Sequence, residues 1–418
     1  MEPVRSSQLR HEAAAPRGDR PDGCLAGLRV LDLSRILAGP WTTQLLADLG
    51  AEVIKVERPG EGDDTRGWGP PFTDDDSNGD VFSAYYLAAN RGKRSVAIDF
   101  STREGQETIR ALARQSDVLV ENFKVGGLKR LRLDEATLRA LNPQLVYCSI
   151  SGFGQSGPHK DKPGYDLLVQ AMGGLMSLTG EPAGEPVKVG VAVADILTGL
   201  YAAVAILAAL RERDASGLGQ HIDLSLLDVQ IATLANQGMN YLVSGRRPQR
   251  HGNAHPNIVP YQAFAASDAH IVIAVGNDTQ FARFAQVLGL PELAQDPRFI
   301  RNADRVRHRD VLLPILSCAI TSWTRADLLD ALERHLIPAA PINRLDEVFS
   351  DPQVAARGML VGPLDGAPTP LIGNPIRFSR TPVTYRRAPP ALGADTRAVL
   401  DELGESLARQ PGCAVPTE

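Results

Sequence analysis

From Leu28 onward, apolar positions recur in short β-branched runs separated by stretches with helical spacing. The pattern predicts strands at 28–33 (LRVLDL), 52–57 (EVIKVE), 94–100 (RSVAIDF), 117–122 (DVLVEN) and 145–151 (LVYCSIS). Helices are predicted at 41–49, near 85–89, at 103–114 and within 133–143, with Gly50 closing the first. Strands alternating with helices of this length build a parallel, doubly wound sheet, whose ligands bind at the carboxyl ends of the strands. The loops that begin at Ser34, Glu57, Glu121 and Ser151 are expected at that edge.

The most apolar stretch is 187–213, VKVGVAVADILTGLYAAVAILAALRER. It reads as a β-rich run, one acid (Asp195), then a helix hydrophobic nearly all round and therefore buried. Asp195 is expected at the strand-to-helix junction, ionised beside the positive end of the helix dipole. Asp is a preferred N-cap, so capping and catalysis both remain open for it. Gly199, one turn on, leaves room for another backbone or a ligand. Beyond it, 221–243 reads as a short strand running into a helix, and 244–264 has the Pro, Gly and Asn content of a connection. The period then changes: 261–276 predicts a hairpin turning at Ser267–Asp268, followed by helices near 279–288, 307–322 and 325–336. The expected organisation is a tail over 1–24 and a large domain begun by 25–223. A linker and small α+β domain follow over 224–340, and 341–418 returns to the large domain and ends in a tail.

Composition narrows the classes. The chain has 418 residues, is 43% hydrophobic and carries a net charge of −5 without a basic block, which gives no electrostatic footprint for nucleic acid. Its four cysteines are scattered, with no zinc spacing, which fits reduced thiols and a cytoplasmic setting. The long apolar helix ends in charge at 211–214 and lies inside an αβ pattern, so it is expected in a core and not in a membrane. The first 24 residues lack an apolar h-region.

Candidate chemistry follows from the loops. The first loop, SRILAGP, has no GxGxxG, no GxxxxGK[ST] occurs, and no GxSxG follows a strand. Glu57 alone imitates a ribose-binding acid only weakly. Arg58 stands at a strand's carboxyl edge, where a guanidinium can hold a phosphate; Arg66 lies in the same glycine-rich loop. Lys129, Arg130 and Arg132 form a basic cluster beyond Asn122–Phe123, and Asn122 could equally cap the turn there.

Taken together, LAGPWTTQLLADLGAEVIKVERPGEGDDTRGWGPPF, NRGKRSVAIDF, DVLVENFKVGGLKRL, SISGFGQSGP, GYDLLVQAMGG, VGVAVADILTGLYAAVAILAAL, GLGQHIDLSLLD and NAHPNIVPYQAF resemble the class III CoA-transferase family. That family includes formyl-CoA:oxalate and carnitine CoA-transferases and the α-methylacyl-CoA racemases. The resemblance implies a Rossmann-like large domain built from both ends of the chain, a small domain, and a homodimer of interlocked rings. It implies an aspartyl nucleophile at Asp195 and coenzyme A as substrate and product, with no permanently bound cofactor. It places Ile36, Leu37 and Ala38 against CoA, with Arg58 and Arg130 near its phosphates. Asn122 and Phe123 fall on the adenine and pantetheine side, and Tyr165 lines the active site. Lys162 is the basic residue nearest before Tyr165, where Pro163 and Gly164 intervene. The glycine-rich flap of the oxalate enzymes has no counterpart between Pro260 and Asp278.

The family's racemases carry GHD where this chain has Gly164, Tyr165 and Asp166, and a tyrosine is a poor base at neutral pH. Transfer is therefore the expected reaction; racemisation, or a silent CoA-binding subunit, is the alternative. Within the family, SRILAGP, ERPGEGDDTR and NAHPNIVPYQAF look most like the succinyl-CoA:glutarate transferases. Arg35 is then either the partner of a dicarboxylate's distal carboxylate or one half of a structural ion pair.

Overall fold

The computed structural model describes residues 23–408 apart from 75–78, 366 and 368; the tail expected over 1–24, save its last two residues, and the tail after 408 lie outside the described residues. Six strands form one parallel sheet: β1 (Arg29–Asp32), β2 (Glu52–Glu57), β3 (Lys93–Ala97), β4 (Val118–Glu121), β5 (Val146–Ser151) and β6 (His221–Ser225). Their spatial order is β3-β2-β1-β4-β5-β6. The order reverses between β1 and β4, and a crevice opens there at the carboxyl edge.

The strands are apolar on both faces because helices cover both. Val30, Val53, Val118 and Val146 face one core with α1 (Ala38–Asp48) and α6 (Val193–Ser216). Their neighbours Leu31, Ile54, Leu119 and Tyr147 face the other, with α3 (Arg103–Arg114), α4 (Glu135–Leu141) and α15 (Thr396–Ala408). The C-terminal segment packs against the sheet: Val399 and Leu403 lie in this core, and Arg94 pairs with Asp395 and Glu402. Short helices α2 (Ala84–Leu87), α5 (Asp166–Met172), α7 (Leu226–Ala232) and α8 (Ala235–Ser244) complete this half.

The second core is separate. A three-stranded antiparallel sheet, β7 (Tyr261–Ala265), β8 (His270–Ala274) and β9 (Ala339–Pro341), carries α9 (Asp278–Val287), α10 (Asn302–Arg307), α11 (Arg309–Ile320) and α12 (Arg325–Arg334). Its hairpin closes where expected, with Ala266 N–H donating to Ala269 O. The path back holds α13 (Leu345–Ser350), α14 (Pro352–Ala356) and the small pair β10 (Leu360–Val361) and β11 (Leu371–Ile372).

Three expectations are corrected. Residues 187–192 form no strand: β6 already occupies the edge of β5, so the valines find no ladder, and Val187 and Val191 stay exposed. Helix α6 is not buried all round, since Leu200, Tyr201 and Val204 are exposed on one strip; by length and composition alone it could also cross a membrane. In this fold it packs instead along α1, where a Cβ on Gly199 would stand 2.8 Å from Ala38 O. Helix α1 also starts earlier than the sequence suggests, at Ala38, because Pro40 is tolerated in a first turn.

Candidate active site

The crevice at the strand-order reversal is a cavity of about 860 Å³. Arg35, Ile36, Leu37, Ala38, Arg58, Asn122, Phe123, Arg130, Lys162, Tyr165 and Asp195 all line it. Positions singled out in separate segments of the sequence therefore meet in one site.

Two loops form its near wall. The side chain of Asn122, after β4, accepts Arg35 N–H at 2.9 Å and donates to Arg35 O at 2.7 Å, so it ties the two switch-point loops together and does not cap its own turn. Charges beneath complete the hold. Lys55 Nζ donates to Ser34 O at 2.9 Å and to Asp63 at 2.8 Å, and Asp63 accepts Ile36 N–H at 3.2 Å. Burial raises the Asp63 carboxyl, but Lys55 and the Thr65 donors outweigh it and hold the group at about 2. Asp32, under Ser34, accepts from Ser34 N–H and from Lys93. Burial brings Lys93 down to about 8 against the pull of Asp32.

The arginines divide by environment. Arg35 pairs with Asp64 at 2.9 Å and lies 5.5 Å from the Phe123 ring centre, and both ion-pair partners are about half exposed. Arg58, also exposed, pairs with Glu61. Arg66 turns inward onto Glu57 and the Tyr86 ring. That explains why Glu57 cannot serve a ribose: its oxygens are taken by Arg66, Ser95 and Asp63 N–H. Of the basic cluster, Arg130 reaches the cavity.

The far wall is the 151–165 loop. It folds back so closely that a Cβ on Gly164 would meet Gly152 Cα at 2.2 Å, which only glycine allows at both positions. The loop delivers Lys160, Lys162 and Tyr165 to the cavity. Tyr165, more than half exposed, then precedes α5.

Asp195 is the third residue of α6, not a junction residue before it, and Ala192 at the N-cap offers no side-chain cap. The carboxylate also differs electrostatically from the sequence expectation. Burial, with the negative Asp166 as second cause, raises it to about 7. Helix-dipole stabilisation is outweighed because Asp166 already occupies the end of the helix, accepting Ala194 N–H at 2.8 Å and Asp195 N–H at 3.3 Å. Nothing in the spacing of two acids 29 residues apart signalled that contact. Tyr85 was missed as well. Burial and the charges of Asp195, Asp166 and Asp63 push its phenol up to about 12, so it stays a hydroxyl donor within electrostatic reach of Asp195, with Trp68 edge-on to its ring.

A buried acid raised to about 7, lining one cavity together with arginines and lysines, suits acyl transfer from a large anionic thioester. Comparison with known proteins agrees. The chain is 53% identical over 381 residues to the succinate–glutarate CoA-transferase of Agrobacterium fabrum, covering 91% of this chain and 95% of that one. It is 42% identical over 382 residues to the human succinyl-CoA:glutarate CoA-transferase, covering 91% and 86%. A crystal structure of a CaiB/BaiF family protein from Brucella suis superposes with a TM-score of 0.82 at 51% identity, covering 91% of this chain and all of that one. The family model for CoA-transferase family III matches residues 25–396, and this chain belongs to that family of enzymes.

Proposed function

We propose that this enzyme moves CoA from succinyl-CoA to a second dicarboxylic acid, glutarate being the first candidate, through a thioester on Asp195. The observation that carries the reading is the convergence of every expected CoA contact and Asp195 on one cavity. The two relatives named for succinate or succinyl-CoA and glutarate support the substrates.

The steps balance without ATP. An Asp195 oxygen attacks the thioester carbonyl of succinyl-CoA; the C–S bond breaks, leaving CoA thiolate and a succinyl–aspartyl anhydride. The thiolate attacks the aspartyl carbonyl, the C–O bond breaks, and succinate departs. Glutarate then attacks the aspartyl-CoA thioester, and the displaced thiolate takes the glutaryl carbonyl, which frees the Asp195 carboxylate. Arg58 and Arg130 meet the CoA phosphates at the mouth, and Asn122 with Phe123 holds the adenosine side. Arg35, already paired with Asp64, borders that same side, so we do not assign it the distal carboxylate. Tyr165 precedes α5 where a racemase has histidine, which favours transfer over α-proton exchange.

We also propose that two copies interlock. Support comes from the bare apolar strip of Leu200, Tyr201 and Val204 on α6, and from the closure of one chain's two ends on a single sheet. A cytoplasmic setting is part of the same reading, supported by the free thiols of Cys24, Cys148 and Cys318.

The test is mass spectrometry of the enzyme incubated with succinyl-CoA, with and without hydroxylamine. The peptide containing Asp195 should carry an adduct that is absent from Asp195→Ala. Turnover of succinyl-CoA plus glutarate should rise with pH through about 7 as the carboxylate forms. Full turnover by Asp195→Ala would end the assignment.

A further inference from the structure

The first turn of α6 has no cap of its own, and the group that serves it comes from another helix. Asp166 opens α5. Its Oδ1 accepts the N–H groups of Ala194 and Asp195, and its Oδ2 accepts Gln170 Nε2 at 2.6 Å. Gln170 is fully buried, and its amide is oriented from the other side, because its Oε1 accepts Val189 N–H at 2.9 Å. Its NH₂ must therefore point at Asp166. Each of these neighbours of the Asp166 carboxylate is a donor, so both of its oxygens are used as acceptors.

We propose that Asp166, fixed by Gln170, is a positioning residue: it locks the backbone that carries the nucleophile and keeps a negative charge facing Asp195, so that enzyme acylated at Asp195 is favoured over free enzyme. This rests on the proposed aspartyl thioester. Charge at residue 195 changes along the reaction. Free Asp195 is an anion in a buried place beside another anion; as anhydride or as thioester its carbonyl is neutral. Forming either covalent bond removes the repulsion, and releasing the carboxylate restores it. Asp166 acts on Asp195 in the same direction as burial, and Tyr85, which also faces the pair, stays a neutral hydroxyl. A cap without charge would fix the helix equally well. The carboxylate does both.

The two roles separate in the double variant Asp166→Asn with Gln170→Glu. The introduced amide oxygen would still accept both N–H groups, and its NH₂ would donate to the carboxylate introduced at position 170. That carboxylate would in turn still accept Val189 N–H. The hydrogen bonds persist while the charge moves one side chain away. Two readouts follow: the acid limb of kcat/KM against pH, and the fraction of enzyme trapped as aspartyl-CoA at a fixed ratio of succinyl-CoA to succinate. The limb should move down by about half a unit to one unit, and the ratio of thioester to free enzyme should fall about three- to tenfold. Asp166→Ala, which loses cap and charge, should show the same shift together with a lower melting temperature. If the double variant does not fold, Asp166→Asn alone is measured in the same two ways. An adduct on wild-type Asp195 with an unmoved limb and an unchanged trapped fraction in the folded variant would overturn the inference, as would failure of both variants to fold. Absence of any adduct on the wild type would instead overturn the proposed function.

Discussion

Glu121 closes β4 directly beneath the Asn122–Phe123 loop, and replacing it by glutamine offers a measurable test of the buried electrostatics. The side chain is almost completely buried. Burial is the main cause that lifts its carboxyl from 4.5 to about 7, against hydrogen bonds from Ser149 and from Phe123 N–H. At about 1.36 kcal/mol per pH unit, ionised Glu121 lowers the stability of the folded state by about 3 kcal/mol. The sign is that of an acid raised on folding. Below pH 4.5 the group is protonated in both states and there is no loss. Between 4.5 and about 7 the folded chain keeps a proton that the unfolded chain has released, so stability falls as pH rises; above 7 the loss is complete. The introduced amide does not titrate, could still accept Phe123 N–H, where the bond is now 2.8 Å, and could donate to Ser149. Glu121→Gln should therefore stabilise by about 3 kcal/mol at about pH 8 and by less than about 1 kcal/mol at about pH 5. Urea denaturation of wild type and variant at the two pH values reads this directly. An equal difference at both would refute the buried-carboxyl argument.

Two further outcomes test the cavity wall. Asn122→Ala removes both bonds to the Arg35 backbone; at about 0.5–1.5 kcal/mol each, KM for the acyl-CoA should rise about 5- to 150-fold in steady-state assays, with kcat changed much less. Asp63→Asn strips the buried Lys55 of its ion-pair partner and should cost about 3 kcal/mol in urea denaturation, whereas a loss under about 1 kcal/mol would mean that Asp32 and Glu57 suffice to hold Lys55.

Much of the first half was legible because a parallel sheet covered on both faces writes itself as β-branched runs, and the helix at 103–114 matches the pattern residue for residue. The apolar run at 187–192 misled for a physical reason. A strand needs a neighbour with a free ladder, and the one beside β5 was taken by β6, which lies later in the chain. The positions that line the cavity were readable through resemblance; their support was not. Lys55 lies between Ile54 and Val56 in β2, where nothing in the pattern marks it, yet it is fully buried and donates to Asp63 and to Ser34 O. The Asp166 contact depends on how α5 and α6 meet, which periodicity within either helix does not encode.

That hidden support bears on how a sheet with dinucleotide-binding strand order works here without the glycine fingerprint. Between β1 and α1 the chain must turn sharply, and it does so at Ile36, with φ at 72°. Left-handed backbone at a β-branched residue costs on the order of 1–3 kcal/mol and persists only where the surroundings dictate it. Here they do: Lys55 holds the carbonyl of Ser34, Asn122 holds both polar backbone groups of Arg35, and Asp63 holds the N–H of Ile36 itself. A glycine would make the turn freely but would leave the loop mobile and the wall bare. Isoleucine pinned by buried charge gives instead a rigid apolar wall whose shape is set before the thioester enters. Arg58 and Arg130 line the same cavity, and under the proposed function they take the phosphates in place of a glycine-rich cradle. The proposed function would thereby divide binding between a preformed apolar wall and the arginines that line the same cavity as Asp195.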